Sequence, residues 1–200
     1  MMVFATAVAL SCGSHHLRAG GPDSDGSGRQ DAMNQWAFGI ESGQLFGVNN
    51  PRDYHLAPQI VSLIYRQKKH WSFAGLDVRS EFLFSLVAEP VLHGPENHYF
   101  AGALRRRWVF TPHERKWGFH LDAGFGAGAI DSTGDPFGQG QDFTFTFLLG
   151  IGLDVPLNDR LDLTLSAFYQ HLSNAGLSEP ERENIGLDAF GPAIGLRWRF

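Results

Sequence analysis

Between Asp142 and Val155 the chain alternates almost without fault. Phe143, Phe145, Phe147, Leu149, Ile151, Leu153 and Val155 share one parity; Asp142, Thr144, Thr146, Leu148, Gly150, Gly152 and Asp154 share the other. Strand side chains project to opposite faces with period two, so this is a strand with one apolar and one mostly polar or small face. The preceding stretch repeats the pattern, with Trp117, Phe119, Leu121, Ala123, Phe125 and Ala127 set against Gly118, His120, Asp122, Gly124 and Gly126. A soluble sandwich also alternates, but its strands usually hold about five or six residues. Here the apolar faces run for about the 9 to 11 residues of a tilted membrane-crossing strand.

Eight such segments can be read from Gln35 onward: 35–46, 59–67, 72–87, 97–110, 116–130, 142–155, 161–173 and 184–200. Their connections alternate in length. Gly47 to Pro58, Ala88 to Glu96, Asp131 to Gln141 and Asn174 to Glu183 are the longer ones, and Lys68 to Trp71, Thr111 to Arg115 and Leu157 to Arg160 the shorter. An even strand count with short turns on one side and longer loops on the other is the plan of bacterial outer-membrane barrels. The expected fold is therefore all-β, an eight-stranded antiparallel transmembrane barrel with both termini on the periplasmic side. The C-terminal aromatic, Phe200, fits the same plan.

Composition agrees. Mean hydropathy of −0.17 looks soluble, but alternating strands average out to such a value. Abundant glycine (24) and phenylalanine (17) suit kinked strands with aromatic outer faces. No run of about 18 apolar residues follows the N-terminus, which argues against a helical membrane protein. A formal charge of −5 supplies no basic field for nucleic acid. Residues 1–19 read as a signal peptide with an atypical start, 20–34 as a flexible lead, and 35–200 as the barrel domain. Cys12 is the one cysteine, so no intrachain disulfide forms. It follows Ala9-Leu10-Ser11, a loose likeness to a lipoprotein cleavage site, and the plainer reading is an ordinary signal-peptide residue.

Parity directs Asp77, Arg79, Glu81, Arg105, Arg107, His120, Asp122, Asp154, Asp162, Arg197 and Arg199 inward. Eight strands leave room for a side-chain-filled interior, so these charges are expected to compensate one another rather than to line a pore. Arg106 has the opposite parity, which points to a snorkelling side chain or a bulge.

The chemistry concentrates in His171-Leu172-Ser173-Asn174-Ala175-Gly176 at the end of the seventh segment. Leu161, Leu163, Leu165, Ala167 and Tyr169 form its apolar face, and His171 and Ser173 continue that face, at the extracellular end by the loop count. Polar groups aimed at hydrocarbon are costly, so a lipid-facing His and Ser suggest a function. A histidine can take the proton of a nearby serine hydroxyl and activate it against an ester. Glu179, Glu181 and Glu183 follow in the next loop and could steady the imidazolium. Asn174 and the backbone amides near Gly176 could donate to an oxyanion.

This stretch, with Glu183 and the closing strand, resembles the PagL-type lipid A 3-O-deacylases, eight-stranded outer-membrane barrels with a His-x-Ser-Asn motif at the end of the seventh strand. The resemblance implies His171 as base, Ser173 as nucleophile, Asn174 and Gly176 at the oxyanion, and Glu183 as the acid, with Asn184 and Glu181 as alternatives. It implies as substrate the ester-linked 3-position acyl chain of lipid A in lipopolysaccharide. A homodimer is one open assembly, since the sequence does not give the oligomeric state. No cofactor is expected. Nor is a metal, since Asp131 and Asp135 lie among glycines without the spacing of a calcium loop. Arg52, His55 and Arg182 fall in outside loops, where contact with lipid A phosphates competes with a plainer reading as surface charges.

Overall fold

The computed structural model describes residues 35–48, 50, 52–132 and 138–200, so the expected signal peptide and lead, with Cys12 and Asp135, lie outside the described residues. Ten strands form one antiparallel sheet: β1 (Trp36–Gly43), β2 (Leu45–Gly47), β3 (His55–Leu56), β4 (Gln59–Phe73), β5 (Leu76–His93), β6 (His98–Pro112), β7 (Gly118–Ile130), β8 (Phe143–Pro156), β9 (Leu161–Ser173) and β10 (Leu187–Arg199). β1 and β2 are halves of one stave broken at Gln44, and β3 and β4 halves of the next, broken at Ala57 and Pro58. Each stave pairs with its sequence neighbour. β10 pairs with both β9 and β1, which closes a ring of eight staves.

The faces sort as alternation requires. Phe38, Ile40, Leu63, Phe84, Leu86, Phe125, Ile151 and Ile194 are exposed on the outside, while Ser62, Ser85, Thr144, Thr146, Thr164 and Gln170 are buried inside. A water-soluble protein inverts this arrangement; a lipid-facing barrel demands it. The middle of the lumen is a compensated ion network. Arg105 meets Glu41 at 2.6 Å, Arg107 meets Asp122 at 2.7 Å, and Arg197 meets Glu81 at 3.0 Å and Asp162 at 3.1 Å. Phe168, on the inner face of its strand, lies under the Arg105 guanidinium, 5.1 Å from its ring centroid. Gly150 makes the room, because a Cβ there would stand 2.7 Å from the Phe168 ring.

Two connections differ from expectation. Lys68 to Trp71 is not a turn but part of β4, which runs on to Phe73. The reversal is at Ala74 and Gly75, with φ of 50° and 79°, the positive pair that a tight hairpin requires. The polar run that imitates a turn is a bulge: the register passes from Arg66↔Glu81 to His70↔Arg79, four steps on β4 against two on β5. At the other end β5 reaches His93, so the expected loop of Ala88 to Glu96 shrinks to Gly94–Asn97 and the alternation of loop lengths has one exception. The remaining connections at that end (48–54, 131–142 and 174–186) are the long ones, so it is the extracellular end.

Above the ion network the lumen turns apolar. Leu45, Leu56, Ile60, Val87, Tyr99, Ile130, Phe168, Leu172, Leu187 and Ala189 pack together in its extracellular half. This plug positions the site, because Leu172 and Leu187 face each other inside the barrel and period two then sends His171, Ser173 and Asp188 outward.

Candidate active site

His171 lies opposite Asp188 in the β9–β10 ladder, and its Nδ1 is 2.7 Å from Asp188 Oδ1. A carboxylate accepts only, so Nδ1 carries the proton and Nε2 keeps its lone pair, the tautomer a general base needs. Tyr169, one outward position earlier, donates its hydroxyl to the same Oδ1 at 2.6 Å. The Asp188 backbone is bracketed by Asn50, whose Nδ2 donates to the Asp188 carbonyl at 2.8 Å and whose Oδ1 accepts the Asp188 N–H at 3.1 Å. The imidazole rests against Gly186, where an added Cβ would come within 2.9 Å of Cε1.

Ser173 lies on the same face as His171. Its Oγ accepts from Asn184 Nδ2 at 2.9 Å and from the Ala175 N–H at 3.2 Å. Both contacts are donors, so the serine proton has no acceptor among the described residues. No hydrogen bond joins Ser173 to His171 among the described residues. Same-face neighbours on a strand lie about 6.5–7 Å apart at Cα, a gap that modest side-chain rotations close. Both side chains open on an external groove of about 370 Å³ lined otherwise by Phe125, Phe145, Thr146, Phe147 and Ala175. Phe145 pairs with Ser173 and Phe147 with His171 across the β8–β9 ladder, which sets the aromatic wall beside the polar pair.

The other expected residues fall out differently. Asn174 is fully buried and its amide is committed: Nδ2 donates to Ser178 Oγ at 2.8 Å, and Oδ1 accepts the Gly176 N–H at 2.9 Å. Gly176, with φ of 78°, therefore spends its N–H closing an Asx turn. Glu181 and Glu183 are exposed in the loop, and neither side chain bonds His171. Asn184 joins Ser173, not His171. Sequence reasoning missed Asp188 and Tyr169. The signal was available, since counting back from Phe200 by twos through Trp198, Leu196, Ile194 and Phe190 lands Asp188 on the outer face.

No group of three or more metal-ligating side chains occurs among the described residues. His55 Nε2 meets Gln44 Oε1 at 2.5 Å and its ring stacks on Phe46; Arg52 and Arg182 are exposed at the same end.

Among solved structures the chain resembles the crystal structure of the outer membrane enzyme PagL, with a TM-score of 0.56, 18% identity, and coverage of 82% of this chain and 99% of that one. It resembles Neisserial surface protein A (NspA) equally in shape, with a TM-score of 0.56, 10% identity, and coverage of 83% and 97%. Identities this low establish the barrel fold alone. No curated protein matches the sequence. The family described as Lipid A 3-O-deacylase (PagL) matches residues 53–197, which takes in the whole His171–Asp188 region and most of the ring. On that match the chain belongs to the PagL family of lipid A 3-O-deacylases, ester hydrolases of the outer membrane.

Proposed function

We propose that the chain removes the 3-O-linked acyl chain of lipid A with Ser173 as nucleophile, His171 as general base and Asp188 as the acid that holds His171. The observation that carries this reading is the 2.7 Å contact between His171 and Asp188 beside a serine that opens on an apolar, lipid-facing groove. Ser173 Oγ attacks the ester carbonyl while His171 Nε2 takes its proton. The tetrahedral intermediate collapses by expelling the sugar hydroxyl, which leaves with the proton from His171. Water, deprotonated by the same nitrogen, then releases the fatty acid from Ser173. Asp188 stabilises the imidazolium formed in each half of the cycle.

In this reading Asp188 takes the role expected of Glu183. Ladder register sets an acid opposite the histidine on its own face, whereas a loop glutamate would have to fold back. The oxyanion also shifts. It forms next to Ser173 Oγ, within reach of the Ala175 N–H and Asn184 Nδ2, while the Asn174 amide is engaged in the loop.

The test is lipid A mass spectrometry on cells expressing the native chain or Ser173→Ala. The native chain is expected to shift lipid A down by one 3-hydroxyacyl group and Ser173→Ala to leave it intact. Identical profiles would sink the reading, and loss of acyl chains from phospholipid instead would reassign the substrate.

A further inference from the structure

The outward face of β6 carries Phe100, Gly102, Leu104, Arg106, Trp108 and Phe110, and Arg106 is its one charge. Each well-buried lumen arginine (Arg105, Arg107 and Arg197) meets at least two carboxylates. Arg106 meets none among the described residues. Its Nη2 donates to Ser80 Oγ at 2.6 Å and Gln67 Oε1 at 2.9 Å, its guanidinium carbon lies 4.1 Å from the Phe82 ring centroid, and its Nε is buried without a partner. Three neutral groups thus orient a cation on the lipid side of the barrel and leave its charge unbalanced.

The position is specific. All five tryptophans (Trp36, Trp71, Trp108, Trp198 and, in the turn before β7, Trp117) stand toward the periplasmic end of the ring, as an interfacial belt does. Arg106 is level with Tyr65 through Phe82, and Trp108 is the next outward residue toward the periplasm. The β4 bulge that supplies Gln67 also leaves Lys68, Lys69 and His70 exposed beside it. A guanidinium at this depth is costly without an anion, and its planar fork matches a phosphate.

We propose that Arg106, with Lys68 and Lys69 of the bulge, binds the phosphate of a phospholipid in the periplasmic leaflet. The site lies at the opposite end of the barrel from Ser173 and is independent of the catalytic reading.

Native mass spectrometry of the folded full chain tests it, with phosphatidylglycerol, diacylglycerol of the same chains, and inorganic phosphate added in turn. The native chain is expected to retain phosphatidylglycerol about tenfold better than diacylglycerol, and excess inorganic phosphate is expected to leave that adduct in place. Arg106→Gln should lose about tenfold of the retention, Arg106→Lys less, and Ser173→Ala none. Equal retention of phosphatidylglycerol and diacylglycerol by the native chain overturns the proposal, as does undiminished retention by folded Arg106→Gln. Displacement by inorganic phosphate alone would also overturn it, in favour of a simple anion site. The comparison of lipids on the native chain needs no variant, so it decides the matter even if Arg106→Gln fails to show heat-modifiable migration.

Discussion

Asp188 faces His171 directly across the β9–β10 ladder, and a single oxygen, Oδ1, receives both the imidazole Nδ1 and the Tyr169 hydroxyl. If this carboxylate holds the base, Asp188→Asn is expected to lower kcat by roughly a thousandfold or more, since the amide favours the wrong tautomer and stabilises no imidazolium. Glu183→Gln, by contrast, should stay within about twofold of the native rate. Release of fatty acid from purified lipid A measures both, and the reverse ranking would return the role to Glu183.

Tyr169→Phe removes one of the two hydrogen bonds on Asp188 Oδ1 and keeps the ring. A hydrogen bond to a charged group is worth about 1.5–3 kcal/mol, so a fall in kcat of about tenfold or more is expected, with KM little changed. A variant with native kcat would show that Asn50 and the strand register alone hold the acid.

Asn174 and Asn184 should separate cleanly. Asn174 is buried and its amide bonds both Ser178 and Gly176, so Asn174→Ala should destabilise the loop by about 1–3 kcal/mol and lower the temperature at which the site is lost. Asn184 donates to Ser173 Oγ, so Asn184→Ala should reduce kcat by roughly a hundredfold while gel mobility of the folded barrel is unchanged. Equal kinetic losses with equal melting would refute this division of labour.

Gly186 gives a steric test. An added Cβ would press on His171 Cε1 at 2.9 Å, so Gly186→Ala should displace the ring and lower activity at least about tenfold. Its unfolding temperature should match that of the native chain. Full activity would mean that the imidazole has room the structure does not reveal.

Most of the architecture was legible because lipid outside and a packed lumen inside impose opposite chemistry on alternate residues. Phe143 to Val155 could satisfy both in only one way. The Lys68–His70 run was not legible, because a polar bulge inside a strand and a polar turn between strands share a composition. His171 and Ser173 stood out as polar groups on an apolar face, and Asp188 carried the same mark. Proposing Asp188 rather than Glu183 as the acid rests on the β9–β10 register, which is set by how the intervening loop folds rather than by spacing. The burial of Asn174 was illegible for a related reason: its bonds to Ser178 and Gly176 depend on how the loop folds back on itself.

The apolar packing of Leu45, Leu56, Leu172 and Leu187 inside the extracellular half of the ring makes traffic at the site two-dimensional. On the proposed mechanism, a fatty acid released at Ser173 would have no route down the barrel axis toward the periplasm. It would have to slip sideways between lipids of the leaflet that supplied it, so on this reading the membrane is at once reservoir of substrate and sink for product.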